Sequence, residues 1–535
     1  MRCQRMLCLV LFLVCLPTLA ARAKDRVEHV LLISVDGLHA LDVTRYVHDH
    51  PSSALAELSR HGITYTNART PANSDSFPGL LALVTGGSPV TTGLFYDVSY
   101  DRTIFAPTDT TCSHRPGFSM VFDESIDRYD AQHVSLDVID PDALPRHRVN
   151  GQCVPLFPHE ALRTNTIFEV ARAAGKHTAW ADKHPAYDLV NGPSGRGVED
   201  LYTPEITNVD GFDATFSVVC TVRNDQKKVQ AILNQIHGLR HDGSPGPRVT
   251  PAIFGMNFQA VSVGQKLVTD NNIPVTDPSY CTDDPFTGQH GGYLDGDGTP
   301  TDVLAYGLDQ TDAALASMIA ALRQQGIYES TLFVVSAKHG QSPINRTLVN
   351  KAGHFADLVA TLPDASKNPA AQAIADAAAC DTDSCPGFVQ DDDVAFIWLG
   401  NQRQTEDVRH YLNVNAGALF IEQVMAGDEI RLRFNNPLRD SRTPDVIVQP
   451  VYGTIYTHSG KKNAEHGGFS FGDTNVGLIV SNPELRAKVI KTPVATSQVA
   501  PTILRSLGLD PGALRSVRVE KTRELPGLEV DEDSE

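Results

Sequence analysis

The chain has 535 residues, with 45 Lys and Arg against 64 Asp and Glu, for a formal net charge of −19. Such acidity argues against nonspecific binding to nucleic acid or anionic membranes, although a local cation can still recruit a phosphate. The length suits one wound sheet with insertions, or two lobes.

Arg2 and Arg5, the apolar run Met6 to Leu19 and the small-residue site Ala21-Arg22-Ala23 predict a signal peptide over residues 1–23. Its cleavage would lower the formal charge from −19 to −22 by removing Arg2, Arg5 and Arg22. The mature protein is then expected to be secreted or periplasmic. The apolar run is short for a membrane span, which needs about 20 residues, and no later segment reads as one. Six cysteines follow the signal: Cys112, Cys153, Cys220, Cys281, Cys380 and Cys385. An even number in an exported chain predicts disulfides. Cys380–Cys385 would close a small loop, and its rival, a zinc site, lacks further ligands at suitable spacing. Cys112–Cys153 is a looser pairing, and Cys220–Cys281 follows by default.

Glu28 to Gly37 is a continuous apolar run ending in Asp36-Gly37, as expected of a buried parallel strand. In open α/β sheets chemistry gathers at the carboxyl ends of strands, where Asp36 would lie. Next comes Ser76-Phe77-Pro78, opening the apolar run Leu80 to Val84. Proline suits a helix start, and free N–H groups there suit a phosphate or sulfate. Ser76 is therefore either an ordinary N-cap or a hydroxyl placed to meet an anion. Residues 98–163, rich in Asp, Pro, His and Arg, read as loops over the active edge. A helix over 166–175 and a short strand would then bring Asp182, Lys183 and His184 to the same carboxyl edge. They are surface charges or substrate-binding residues.

A strand over 252–258 is followed by loops over 268–300. There Asp295-Gly296-Asp297-Gly298-Thr299 weakly resembles a calcium loop, but its twelfth position is Tyr306 rather than Glu. The strand Thr331 to Ala337 ends in Lys338-His339-Gly340. From Ile344 to Pro444 helical and strand patterns alternate, predicting a small α+β cap inserted into the core. Residues 445–450 should return to the core, followed by Glu465-His466-Gly467-Gly468 and by Val499 to Leu509. The acidic tail 526–535 should be disordered. The domain plan is thus 24–343 core, 344–444 cap and 445–525 core. The fold class is α/β, with a mainly parallel sheet covered by helices on both faces.

The order strand-Asp-Gly, Ser-Phe-Pro, Thr-Gly, His-Gly, His-Gly, Ala-Pro-Thr-Ile-Leu, spread from Val30 to Pro511, resembles the nucleotide pyrophosphatase/phosphodiesterase branch of the alkaline phosphatase superfamily. The resemblance implies a two-zinc site with a Ser or Thr nucleophile. Residue by residue, Ser76 falls on the nucleophile, Asp36 on a metal ligand, and His339 and His466 on metal-binding histidines. The departures are as informative. The acid before the first histidine is here Lys338. The family's Asp-x-x-x-His pair falls on Val261 and Gln265, and its phosphate-holding Asn on Asp97. Valine cannot bind zinc and a charged lysine has no lone pair. At most one divalent metal, with zinc the expected ion, is therefore expected, held by Asp36, His339 and His466. Lys338 would supply charge in place of the second metal, unless it simply reaches solvent, and Asp97 is either substrate-binding or a turn residue.

Two functions follow. One is an exported hydrolase of a small phosphate ester or diester, with Ser76 and Lys338 catalytic and Asp97, Lys183 and His184 contacting substrate. The other is a catalytically altered relative that binds a ligand at the remodelled edge.

Overall fold

The structure, a computed structural model, describes residues 27–71, 73–121, 139–207, 213–272, 281–380 and 385–528. The signal-peptide expectation and most of the acidic tail lie outside the described residues.

The core is an eight-stranded sheet of β1 (His29–Val35), β2 (Gly62–Tyr65), β3 (Ala179–Ala181), β4 (Asp200–Tyr202), β5 (Ile253–Phe258), β6 (Thr331–Ser336), β7 (Ile479–Ser481) and β8 (Lys488–Ile490). Their order across the sheet is β8-β2-β7-β6-β1-β5-β3-β4. All neighbours run parallel except β7, which is antiparallel to both β6 and β2. β1 lies between β5 and β6, and its apolar side chains are inaccessible to solvent from Val30 to Val35. A parallel strand buried on both faces needs this unbroken apolar run, which is why the period-two alternation of a half-exposed strand is missing.

Helices cover the sheet in two packed groups. One contains α3 (Val218–Ile236), α4 (Ala260–Lys266) and α5 (Asp302–Gln325); the other contains α1 (Ser76–Thr85), α2 (Ile167–Ala173) and α6 (Val499–Ser506). Helix α1 is buried along its whole length. Its Gly79 is required by contact: a Cβ there would stand 2.0 Å from the Lys338 carbonyl oxygen. The serine-bearing helix thus lies directly on the end of β6.

A second, four-stranded antiparallel sheet carries Phe388–Asp391, Ala395–Trp398, Val446–Pro450 and Ile421–Ala426 in that order. With the helices Phe355–Ala360, Pro369–Ala378 and Thr405–Val414 it builds a separate apolar cluster. The expected return of residues 445–450 to the core is corrected here, because this strand pairs on both edges within the small sheet. Segment 98–163, read as loops, also contains two short hairpins, Val98–Asp101 with Phe118–Val121 and Arg146–Val149 with Gln152–Pro155. Disulfides join Cys112 to Cys153, Cys220 to Cys281 and Cys380 to Cys385. Among the described residues no helix is long and apolar enough to cross a membrane.

Candidate active site

Sheet register assembles the site. β1 pairs Val35 with Phe258 and Ser34 with Ser336, and β5 pairs Met256 with Ala181. Parallel strands in this register end together, so Asp36, Gln259, Lys338 and Lys183 leave the sheet at one edge. The Asp36 amide is held by the Phe258 carbonyl at 2.9 Å and the Gly37 amide by that of His339 at 3.1 Å.

Asp36 is the centre of this edge and fully buried. Its Oδ2 accepts from Lys183 Nζ at 3.1 Å and from Asn257 Nδ2 at 3.3 Å, and stands 3.9 Å from both Lys338 Nζ and His339 Nε2. Burial would raise its pKa, but Lys338, Lys183 and His339 outweigh that and hold it well below the usual carboxylate range.

Ser76 is the first residue of α1. The N-cap is Asp75, whose Oδ2 accepts from the Phe77 amide at 3.0 Å. One of the N–H groups expected to receive an anion is thus taken by a carboxylate. Burial and the nearby Asp97 push the Asp75 carboxyl well above its ordinary range, toward the neutral acid. Ser76 Oγ lies 3.2 Å from His339 Nε2 and 3.4 Å from Lys183 Nζ. His339 Nδ1 faces the Gly340 carbonyl at 2.8 Å. A carbonyl can only accept, so Nδ1 carries the proton and Nε2 presents its lone pair to the Ser76 hydroxyl. Burial, reinforced by Lys183 and opposed by Asp36, pushes the His339 pKa down to about 4. The imidazole is neutral at pH 7.

Lys183 completes three contacts by donating to Gln259 Oε1 at 3.1 Å. Burial disfavours its charge, yet Asp36 and Asp182 hold its pKa above that of a free lysine. Lys338 is placed differently. It is fully buried, donates to Asp182 Oδ1 at 2.9 Å and sits 3.9 Å over the Tyr187 ring. It therefore stands behind Asp36, without the hydrogen bond to Ser76 that Lys183 makes.

The remaining expected residues divide. His466 packs against His339 with ring centroids 3.7 Å apart and the planes tilted by 30°, and its Nδ1 stands 3.6 Å from Asp75 Oδ1. Burial and the neighbouring His339 push its pKa well down. Asp97 accepts from the Val98 amide at 2.7 Å and acts electrostatically on Asp75 and Lys183. His184 turns its Nδ1 to both oxygens of Glu205, at 2.7 and 2.8 Å, and stacks on Tyr187. Sequence reasoning missed Asn257, Gln259, Tyr187 and Lys266 as members of this edge. Asn257 and Gln259 flank the end of a strand that had been recognised, a signal that was available; Tyr187 offered none.

The residues do not fit the expected metal set. Among the described residues no three His, Cys, Asp or Glu side chains come together as a metal centre. Asp36 Oδ2 is held by an ammonium group, while Asp36 Oδ1 has no hydrogen-bond partner among the described residues; His466 Nδ1 stands 3.6 Å from Asp75 Oδ1, and neither of those two atoms is hydrogen-bonded there. Gln265, where the resemblance would place a histidine ligand, donates through Nε2 to the Gly37 carbonyl at 2.8 Å and to the Tyr293 hydroxyl at 2.9 Å. Gly37, at φ +80°, leaves room for it, since a Cβ there would meet Gln265 Oε1 at 2.6 Å.

The sequence model of the type I phosphodiesterase/nucleotide pyrophosphatase family matches residues 30–133 and 293–470, more than half of the chain. The chain belongs to that family. Solved structures similar to this phosphodiesterase-family chain include murine ectonucleotide pyrophosphatase/phosphodiesterase 5, free and as an inactive variant in complex with AMP. Each has TM-score 0.53 and 14% identity, covering 90% of this chain and 96% of that one. Alkaline phosphatase PafA matches at 13% identity over 91% of this chain and 96% of that one, with TM-scores of 0.57 for a substituted variant and 0.53 for the wild type. At these identities the likeness is one of fold. No curated protein matches the chain by sequence. Family and fold are those of phosphoester hydrolases, and the fold is alkaline phosphatase-like. The matched stretches leave out 134–292, the segment that carries Asp182, Lys183, Asn257, Gln259, Gln265 and Lys266.

Proposed function

We propose that this phosphodiesterase-family member is an exported hydrolase of small phosphate esters or diesters, with Ser76 as nucleophile and His339 as its base. The observation that carries the reading is Ser76 Oγ lying between a lone pair, His339 Nε2 at 3.2 Å, and a cation, Lys183 at 3.4 Å. A serine hydroxyl becomes a competent nucleophile when one neighbour takes its proton and another steadies the developing oxyanion.

In the first half-reaction Oγ bonds to phosphorus as its proton passes to His339 Nε2, and the ester P–O bond breaks. The leaving oxygen departs on the far side and takes a proton from water. The hydroxide so formed attacks the phosphoserine in the second half-reaction. The P–Oγ bond breaks, and the proton held on His339 returns to Oγ. The sum is ester plus water to alcohol plus phosphate. Lys338 is a positioning residue here, fixing Asp36 and Asp182 from below. Export is supported by the three disulfides, and a small-molecule rather than nucleic-acid substrate by the acidity of the chain.

The test is turnover of a panel of aryl phosphate monoesters and diesters by wild type and Ser76→Ala, with mass spectrometry of acid-quenched wild type. A phosphoryl group on Ser76 and loss of turnover in Ser76→Ala are expected. Ligand binding without turnover would favour the non-catalytic alternative, and unchanged turnover in Ser76→Ala would overturn the serine.

A further inference from the structure

We infer that Lys183 is the resident cation of this site, and that the protein binds and transfers a phosphoryl group without a bound metal ion. The inference rests on the hydrolase reading but concerns what replaces the metals, and it can fail independently.

The first argument is charge. Asp36 and Asp182 are both fully buried, and each is paired with a lysine: Lys183 to Asp36 at 3.1 Å, Lys338 to Asp182 at 2.9 Å. Two carboxylates and two ammonium groups leave this buried cluster formally neutral. A divalent ion added at Asp36 would bring two uncompensated charges beside two lysines, in a buried region where solvent screens little. An ion on Asp36 Oδ2 would also have to remove Lys183 from its three oxygen partners, Asp36 Oδ2, Gln259 Oε1 and Ser76 Oγ. The ammonium already has one partner for each N–H, so it is held in one orientation.

The second argument is position. Lys183 touches both the carboxylate that the resemblance makes a metal ligand and the serine that it makes the nucleophile. In that place a cation lowers the cost of the Ser76 oxyanion and can move one N–H from Oγ to a non-bridging phosphoryl oxygen as the Oγ–P bond forms. A second lysine lies near the same histidines, and burial lowers its pKa. Lys266, at the end of α4, has no side-chain hydrogen bond or ion pair among the described residues, and acts electrostatically on His339, His466 and Glu465. Backbone bonds hold it there: Asn463 N donates to its carbonyl at 2.6 Å, and Val268 N to the Lys461 carbonyl at 2.8 Å. Lys183 and Lys266 are both on the segment that the family match leaves out. Where the resemblance places the second ion's ligands, Gln265, Tyr293, His39 and Asp42 are joined in mutual hydrogen bonds.

The experiment is calorimetry of the purified mature protein after exhaustive dialysis against EDTA, titrated separately with zinc and with inorganic phosphate. Wild type should bind phosphate in the absence of metal and should not take up zinc stoichiometrically. Lys183→Met should weaken phosphate at least tenfold, and Lys266→Met should weaken it by less. The double variant Lys183→Ala with Lys338→Asp, which restores the acidic ligand and removes the ammonium, should gain zinc binding that wild type lacks. If EDTA-treated wild type binds phosphate only once zinc is returned, or binds one zinc per chain, the inference is overturned while Ser76 labelling can still uphold the hydrolase. If phosphate binding depends on Lys183 but Ser76 is never phosphorylated, the resident cation stands and the hydrolase reading falls. Failure to bind phosphate with or without zinc overturns the inference.

Discussion

Lys183 Nζ lies 3.1 Å from Asp36 Oδ2 and 3.4 Å from Ser76 Oγ, so one ammonium group joins the strand-end carboxylate to the hydroxyl at the helix start. This contact orders the chemistry of the edge. It holds a cation where the family resemblance implied a metal, and it separates two lysines that look alike in sequence.

Replacing Lys183 by Met should cut kcat by about 100-fold or more, the range for loss of one positioned electrostatic stabiliser. It should also destabilise the fold by about 3–5 kcal/mol, because Asp36 would be left buried without its closest cation. Adding Asp36→Asn should recover most of that stability and none of the turnover. Denaturant midpoints and steady-state kinetics on wild type and the two variants check both halves; full activity in Lys183→Met would sink the assignment.

Lys338→Met should behave as a structural lesion first. Lys338 is fully buried against Asp182 and the Tyr187 ring, so its loss strands a carboxylate and should again cost about 3–5 kcal/mol. Asp182→Asn in the same chain should restore the midpoint. If the single variant unfolds at the wild-type midpoint, Lys338 is not carrying the buried pair.

The acid limb of kcat/KM should fall near pH 4 rather than near 6.5. Burial, with help from Lys183 and against Asp36, pushes the His339 imidazole down to about 4 from an ordinary 6.5. Nε2 therefore stays free to accept the Ser76 proton through the mildly acid range. Stability has the matching sign. Between about pH 6.5 and 4 the unfolded chain binds a proton that folded His339 refuses, so its contribution is full above 6.5 and drains away as pH falls toward 4. His339→Gln should remove this part of the pH dependence of stability along with most of the activity. A kcat/KM profile that breaks near 6.5 would assign the limb to another group.

Gly79→Ala tests the contact between α1 and β6. Its Cβ would stand 2.0 Å from the Lys338 carbonyl oxygen, a backbone atom that cannot swing away. Overpacking of this kind costs about 1–3 kcal/mol. Because α1 carries Ser76, kcat should fall with KM little changed. An unaffected kcat would mean that the helix can retreat without moving the serine.

Much of this was legible in the order of residues, for a physical reason. Strands buried on both faces must be unbroken apolar runs, so Val30 to Val35 and Thr331 to Ala337 announced themselves, and with them Asp36 and His339 at their ends. Ser76 was legible because proline two positions on suits a helix start. Of the cysteine pairs, spacing pointed to Cys380–Cys385; Cys112–Cys153 was a looser pairing and Cys220–Cys281 came by default. Segment 445–450 was misplaced because an apolar strand carries no label for which sheet it joins; pairing with Ala395–Trp398 and Ile421–Ala426 decided it. The two lysines mark the limit most clearly. Each follows an apolar strand, and composition cannot say which reaches the serine. Register among β1, β3, β5 and β6, and the direction in which each side chain leaves its strand end, put Lys183 beside Ser76 and Lys338 behind Asp36. The sequence by itself determined the main strands and the serine helix, and through the resemblance it put Val261 and Gln265 where metal ligands are expected. Only the tertiary structure decided what stands in their stead, because a charge is matched by whatever lies within a few ångströms in space, at any distance along the chain.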